Sequence, residues 1–397
     1  MIEWPIKSQA IKENLLKVID NNVWWSREGE FVYKFQDKFK GFLDVTYCLA
    51  CTNGSHALKL ALRALDIGYM DYVIVPSITF IATAFSVLDV GAIPVFADVD
   101  LKTSCIDIES VKRLKEKYGE KVKCIIPVHM GGQCCNIEEL CNWAKSEKIA
   151  VVEDCAQAIG TEYKGKYVGN FGDIGCFSFQ NSKNITSGEG GAVVTNNKEL
   201  AYKISKYLDY NHWFGILHND VLLGGNYRIS EFQAAVLEAQ VDGYEKQNAL
   251  REKNYYYLAN ILSKMEGLTL MEIPKGLTKH GCHLFMFRYH KDKFNNRTKS
   301  EFIECLRLHE IPCWGGYDDI PLNKYPYFMD KVFLKEDPLW SRMYKANPFH
   351  YPESDDCTNA EKLAEEFVWI PQFFLLRDEK QINEIIIAIN NFKELSK

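Results

Sequence analysis

The chain has 397 residues, 47% of them hydrophobic and 25% charged, a balance that excludes a disordered or fibrous protein and suits one large domain with a smaller companion. A formal net charge of -6 gives no basic excess for a phosphate backbone, so nucleic acid is not expected as a partner. The most apolar stretch, Ile81 to Val99, is interrupted by Asp89, Gly91 and Pro94 and reads as a buried helix and strand rather than a membrane span.

The first residues, MIEWPIKSQAIKENLL, lack the basic region, apolar run and small-residue cleavage site of a signal peptide, which predicts a cytoplasmic protein. Thirteen scattered cysteines, odd in number, then read as free thiols. Cys48 and Cys51 sit in VTYCLAC, where strand geometry sends the two side chains to opposite faces. With no second pair at zinc spacing, no metal site is expected.

From about residue 45 to 200, the apolar runs VTYCLAC, DYVIVP, IPVFADV, VKCIIPV, IAVVED, IGCFSF and GGAVVTN alternate with helical stretches such as SHALKLALRAL and IEELCNWAKSEK. This alternation predicts a largely parallel sheet covered by helices on both faces, with ligands at the carboxyl ends of the strands. A long helical pattern follows from Ser230 to about Met265, interrupted once by Gly243. Beyond it, HLFMFRYH, SEFIECLRLHE, IPCWGG and INEIIIAINNFKEL make a mixed pattern that fits a small α+β domain. The boundary falls near residue 250, giving a large domain of residues 1–250 and a small one of 251–397.

Four segments at predicted strand ends carry the chemistry. In CTNGSHALKLAL a strand stops at Asn53-Gly54-Ser55 and a helix begins; Gly54 permits close backbone approach, Ser55 is an N-cap candidate, and the free N–H groups suit a phosphate. In VVEDCAQAIG an apolar run ends in Glu153-Asp154, with Gln157 three residues on. A buried carboxylate there needs a partner: the protonated nitrogen of a pyridine cofactor, or else a helix cap or structural ion pair. In GCFSFQNSKNITSGEGGAVVTNN a polar loop holds Ser178, Ser182 and Lys183 before a glycine-rich turn. Ser178 offers a hydroxyl to phosphate. Lys183 is either an ordinary surface charge or, aimed into a desolvating pocket, an amine that loses its proton and becomes a nucleophile. In GGNYRISEFQAA, Asn226 and Arg228 serve an anionic group or cap the long helix.

The ordered set TNGSHAL, PSITFIATA, GAIPVFADVD, EDCAQAIG, SFQNSKN…GEGGAVVTN and NYRISEFQAA closely resembles the DegT/DnrJ/EryC1/StrS family of pyridoxal-phosphate-dependent sugar aminotransferases. The match runs from about Phe31 to Gln240, with a looser continuation. It implies fold type I: a mainly parallel seven-stranded sheet between helices, plus a small C-terminal α+β domain. By this resemblance Lys183 forms the Schiff base and shuttles the proton, and Asp154 keeps the pyridine nitrogen protonated. Phe80 stacks on the ring, and Gln157 lies near its phenolic oxygen. Gly54, Ser55 and Ser178 cradle the phosphate, while Asn226 is lent to the neighbouring subunit's phosphate, implying a homodimer with shared sites.

The loop reads Phe-Gln-Asn-Ser-Lys where many family members have His-Pro-Thr-Lys or Tyr-Pro-Ser-Lys, and in this it looks more like the inosose aminotransferase and aminohydroxybenzoate synthase branch. The implied reaction moves an amino group from glutamate or glutamine, through pyridoxamine phosphate, to the ketone of a keto-sugar or keto-cyclitol. The alternatives are a dehydrating or aromatising enzyme of the same fold, and a non-catalytic cofactor-binding regulator. Lys183 stands where the family's dehydratases have histidine. His212, Trp213, His283, Trp314, Tyr317 and Lys324 are further candidates for the substrate pocket.

Overall fold

The structure is a computed structural model that describes residues 4–210 and 222–394. Its first half contains α1 (Gln9–Asp20), α2 (Phe31–Leu43), β1 (Tyr47–Cys51), α3 (Gly54–Ala64), β2 (Tyr72–Pro76), α4 (Ala82–Asp89), β3 (Ile93–Ala97), α5 (Ile108–Tyr118), β4 (Val122–Ile125), α6 (Ile137–Ser146), β5 (Ala150–Asp154), β6 (Glu162–Tyr163), β7 (Lys166–Tyr167), β8 (Ile174–Ser178), β9 (Gly191–Thr195) and α7 (Lys198–Leu208). Then follow α8 (Glu231–Leu262), β10 (Leu268–Leu270), β11 (Leu277–Lys279), β12 (Leu284–Tyr289), α9 (Lys299–Leu308), α10 (Pro326–Met329), α11 (Phe333–Glu336), α12 (Pro338–Ala346), α13 (Thr358–Glu366), β13 (Phe367–Pro371) and α14 (Glu379–Glu394).

Seven strands form the expected central sheet in the order β1-β9-β8-β5-β4-β2-β3. Every neighbouring pair from β8 to β3 is parallel, and β9 runs antiparallel to both β1 and β8. Strands β2, β3, β8 and β9 are buried along their whole length. That is why YVIVP, IPVFA and GAVVT show no polar alternation: helices cover both faces. Register then sets the functional edge, because Asp154 pairs with Cys176 and Ser178 with Gly191, so β5 and β8 end side by side. Ligand sites form at such carboxyl ends.

Ser55 is not the cap of α3: the helix already begins at Gly54, and Asn53 caps it by accepting from His56 N at 2.8 Å, its short amide doing what Ser55 was expected to do. Ser230 with Gln233 forms a reciprocal capping box at the start of α8. Residue 250 lies inside the 32-residue α8. Past its middle, α8 contributes Tyr255, Leu258 and Leu262 to a second hydrophobic cluster with β12, β13, α9 and α14. Side chains from Leu322 to Phe367, including Phe328, Phe333 and Trp340, belong instead to the first cluster, with the central sheet. Among the described residues, no helix is long and apolar enough to cross a membrane, and all thirteen cysteines are free.

Candidate active site

A cavity of about 840 Å³ opens at the carboxyl edge of the sheet. One wall comes from the loops after β1, β2, β5 and β8, the other from His283, Trp314, Tyr317 and Trp369. Backbone bonds hold the second wall in place: Trp314 N donates to Trp369 O at 3.0 Å, and Trp369 N donates to Trp314 O at 2.9 Å.

At one end, the N-terminus of α3 leaves the N–H groups of Gly54 and Ser55 without intrahelical acceptors. A Cβ on Gly54 would sit 2.8 Å from the Cβ of Ser178, so only glycine lets the helix approach the end of β8 this closely. Two serines and two backbone donors at a helix N-terminus form an anion cradle.

Asp154 lies on the floor. Its Oδ2 accepts from Thr83 Oγ1 at 3.0 Å and its Oδ1 accepts from Ala156 N at 3.1 Å. The Thr83 hydroxyl proton is engaged by Asp154, so the 2.9 Å contact with Thr79 has Thr79 donating, and the two threonines form a relay from the loop before α4 to its first turn. Burial pushes the Asp154 carboxyl up, while these donors and the nearby Lys183 pull it back. Beneath the floor, Glu153 is fully buried: it meets His129 Nε2 at 2.9 Å and accepts from the N–H groups of Gly169, Phe171 and Gly172. Those bonds hold Glu153 below the usual carboxylate range despite its burial. Glu153, His129 and Cys155 lie close together, but Glu153 is saturated by these partners and reads as the anchor of the 169–172 turn.

Lys183 enters the cavity from the loop after β8. Burial lowers its amine from 10.5 to about 8, opposed by Asp154. Its amine has no hydrogen-bond partner among the described residues. Gln157 accepts from Gly131 N at 2.8 Å and donates to the Tyr317 hydroxyl, joining the two walls. Phe80 is 57% exposed, its ring on the cavity surface 5.8 Å from that of Tyr317. A phenylalanine this bare beside a well-packed core is an available stacking face.

Thus Gly54, Ser55, Phe80, Asp154, Gln157, Ser178 and Lys183 all line one cavity, together with His283, Trp314 and Tyr317. Lys324 does not; it is part of a surface ion pair with Glu361 at 3.0 Å. Asn226 is exposed and outside this cavity's wall, its backbone bridged to Asp209. His212 and Trp213 lie outside the described residues. Arg228 pairs with Asp209, which also binds Arg27. The reading from sequence missed Thr79, Thr83, Asn184 and Trp369. Thr83 was detectable as a second hydroxyl four residues after Thr79; Trp369 carries no local sign, sitting in an apolar strand.

The donor set fits pyridoxal phosphate. The cradle at Gly54, Ser55 and Ser178 suits its phosphate, and Asp154 is a buried carboxylate with no ion-paired cation among the described residues, a partner that the protonated ring nitrogen would supply. Lys183 supplies a poorly hydrated amine for its aldehyde.

The sequence pattern of the DegT/DnrJ/EryC1/StrS aminotransferase family matches residues 5–340. A GDP-perosamine synthase of Caulobacter vibrioides is 31% identical over 386 residues, 96% of this chain and 94% of the relative. A UDP-N-acetyl-3-dehydro-alpha-D-glucosamine 3-aminotransferase of Acidithiobacillus ferrooxidans is 35% identical over 351 residues, 88% of this chain and 85% of the relative. Among solved structures, a 3-amino-5-hydroxybenzoic acid synthase aligns with TM-score 0.84 at 26% identity, covering 98% of both chains.

Proposed function

The chain belongs to the DegT/DnrJ/EryC1/StrS aminotransferase family and is a pyridoxal-phosphate-dependent aminotransferase; we propose that it carries nitrogen from glutamate or glutamine to the ring ketone of a polyhydroxylated acceptor, a keto-sugar or keto-cyclitol. The observation that supports this most is the convergence of Lys183, Asp154, Ser178, Gly54 and Ser55 on one cavity that has an aromatic second wall.

When bound, pyridoxal phosphate supplies a carbonyl for amines and a ring that takes up the electron pair left on carbon as a proton departs. Asp154 would stay ionised against that ring nitrogen, its carboxylate oriented by Thr83 Oγ1 on Oδ2 and Ala156 N on Oδ1. Gly54, Ser55 and Ser178 hold the phosphate end. Gln157, clamped between Gly131 and Tyr317, presents its side chain at the cavity's middle. Lys183 takes the proton from the donor's α-carbon in the first half of the cycle and delivers a proton to the acceptor's carbon in the second. Its lowered basicity suits both tasks, since an amine at about 8 gives up and regains a proton near neutral pH.

The acceptor class rests on the far wall. Trp314, Tyr317 and Trp369 offer apolar faces to the C–H side of a sugar-like ring. Two relatives are named for GDP- and UDP-linked sugars, and the ring ketone is what such acceptors share with a keto-cyclitol. Asn226 is exposed and off its own chain's cavity wall, which supports the reading that it serves a second copy and that the working unit is a homodimer.

The test is a pair of half-reactions. Protein loaded with pyridoxal phosphate should lose its visible absorbance on adding glutamate or glutamine, and regain it on adding a keto-sugar or keto-cyclitol, with an amine product by mass spectrometry. A spectrum that no amino acid changes, or a product without new nitrogen, refutes the reading.

A further inference from the structure

Lys183 and His283 present complementary hydrogen-bonding groups to the same cavity, and a single side chain controls one of them. Asn184, the residue after Lys183, donates its Nδ2 to Gly281 O at 2.6 Å. Its Oδ1 therefore faces His283 Nδ1, at 3.0 Å. An amide oxygen only accepts, so His283 Nδ1 carries the proton and Nε2 is left with a bare lone pair. Burial and the charges of Lys183 and Arg251 hold the imidazole well below its ordinary range, consistent with that neutral tautomer.

The segment carrying His283 is fixed from behind. Gly281 N donates to Gly132 O at 3.0 Å, and a Cβ on Gly132 would stand 2.6 Å from Cys282 N and 2.8 Å from His283 N. Gly132 also has φ +94°, a conformation that disfavours side chains. The 130–132 turn, the 281–283 segment and Asn184 thus form one tight junction beside Lys183.

His283 is only 5% exposed, yet it lines the cavity. The neighbouring group that needs an acceptor is the Lys183 amine, which has none among the described residues. Nε2 of His283 likewise has no hydrogen-bond partner among the described residues. We propose that His283, locked by Asn184, is a positioning residue for Lys183: its Nε2 accepts one N–H of the free amine, which turns the amine's lone pair toward the reacting carbon. His283 takes no proton itself. The inference rests on the assignment of Lys183 as proton carrier proposed above.

Because Lys183 works in both half-reactions, loss of His283 should slow both. His283→Phe, which keeps the ring volume, should lower donor and acceptor single-turnover rates alike, by about 100-fold for a misaligned group, with both half-saturation concentrations unchanged. His283→Gln, which keeps an acceptor, should recover most of the rate. Asn184→Ala, which frees the ring, should act in the same direction as His283→Phe. The visible band of the loaded protein should change at a different pH in His283→Phe than in the wild type, a readout independent of turnover. A variant that loads cofactor but slows only the acceptor half-reaction would make His283 a substrate-binding residue and overturn the inference. So would wild-type rates in His283→Phe. Failure of the wild type itself to transaminate would instead refute the underlying assignment.

Discussion

The Gln157 amide joins the two halves of the cavity, accepting from Gly131 N at 2.8 Å on one side and donating to the Tyr317 hydroxyl on the other. Tyr317 packs edge-on against Trp369, with ring centroids 4.9 Å apart. Tyr317→Phe keeps that packing and removes the acceptor for a nearly buried amide. The expected cost is about 1 kcal/mol in urea denaturation with an unchanged slope. A shifted visible maximum in the loaded protein should accompany it, because Gln157 is then free to turn. An unchanged midpoint together with an unchanged spectrum would show that this bond does not organise the site.

Lys183 gives a pH prediction whose sign is fixed. Its amine titrates at about 8 in the folded chain against an ordinary 10.5. Between those values the unfolded chain holds a proton that the folded chain has released. Stability of the cofactor-free protein therefore rises with pH across that window, and the destabilising effect of Lys183 is complete below it. Lys183→Met should stabilise the cofactor-free protein at pH 7, and its advantage should shrink as pH approaches the upper limit. Turnover should fall by about 10²–10⁴-fold. A stability advantage that does not change with pH would contradict the lowered amine.

How much of this was legible beforehand varied with the range of the interaction. The strand runs and the ordered strand-end motifs were visible locally, because β2, β3, β8 and β9 are buried on both faces and each of Gly54, Asp154, Ser178 and Lys183 lies within a few residues of a strand end. The contacts that hold those residues in place were not. Thr83 meets Asp154 across 71 residues, His283 meets Asn184 across 99, and Tyr317 meets Gln157 across 160. Nothing in WGGYDD distinguishes Tyr317 from an ordinary loop tyrosine. The segment from Leu322 to Phe367 was equally silent: its aromatic residues have no periodicity that says they join the first core rather than the second.

Thr83 and Asp154 make a graded pair of tests. Asp154→Asn removes the charge on which the ring nitrogen's protonation depends, and turnover should drop by about 10²–10⁴-fold. Thr83→Val is nearly isosteric and removes one of the carboxylate's two donors. It should raise the Asp154 carboxyl further and weaken turnover by about tenfold, an energy of about 1.4 kcal/mol, close to the lower end, about 1.5 kcal/mol, for a hydrogen bond to a charged group. Equal effects of the two substitutions would mean that Thr83 does more than hold the carboxylate.

Gly54→Ala probes the cradle without touching charge. The new methyl would meet the Ser178 Cβ at 2.8 Å, so the start of α3 must move away from the end of β8. Cofactor affinity should fall about tenfold or more by equilibrium titration, with secondary structure retained by circular dichroism. If affinity is preserved, the phosphate does not sit between Gly54 and Ser178.

The homodimer with shared sites can be tested by complementation. Asn226 is exposed and absent from its own chain's cavity wall, whereas Lys183 faces that cavity directly. If Asn226 serves the neighbouring subunit, a dimer of one Lys183→Ala chain and one Asn226→Ala chain contains two unlike sites. One site has lost both residues. The other combines Lys183 from the second chain with Asn226 from the first and is intact. Mixing the two impaired variants under exchange conditions should therefore restore activity, whereas each alone stays low. If Asn226 served its own chain, one site would lack Lys183 and the other Asn226, and mixing would restore nothing. Sedimentation of the mixture should show that the recovered activity travels with the dimer.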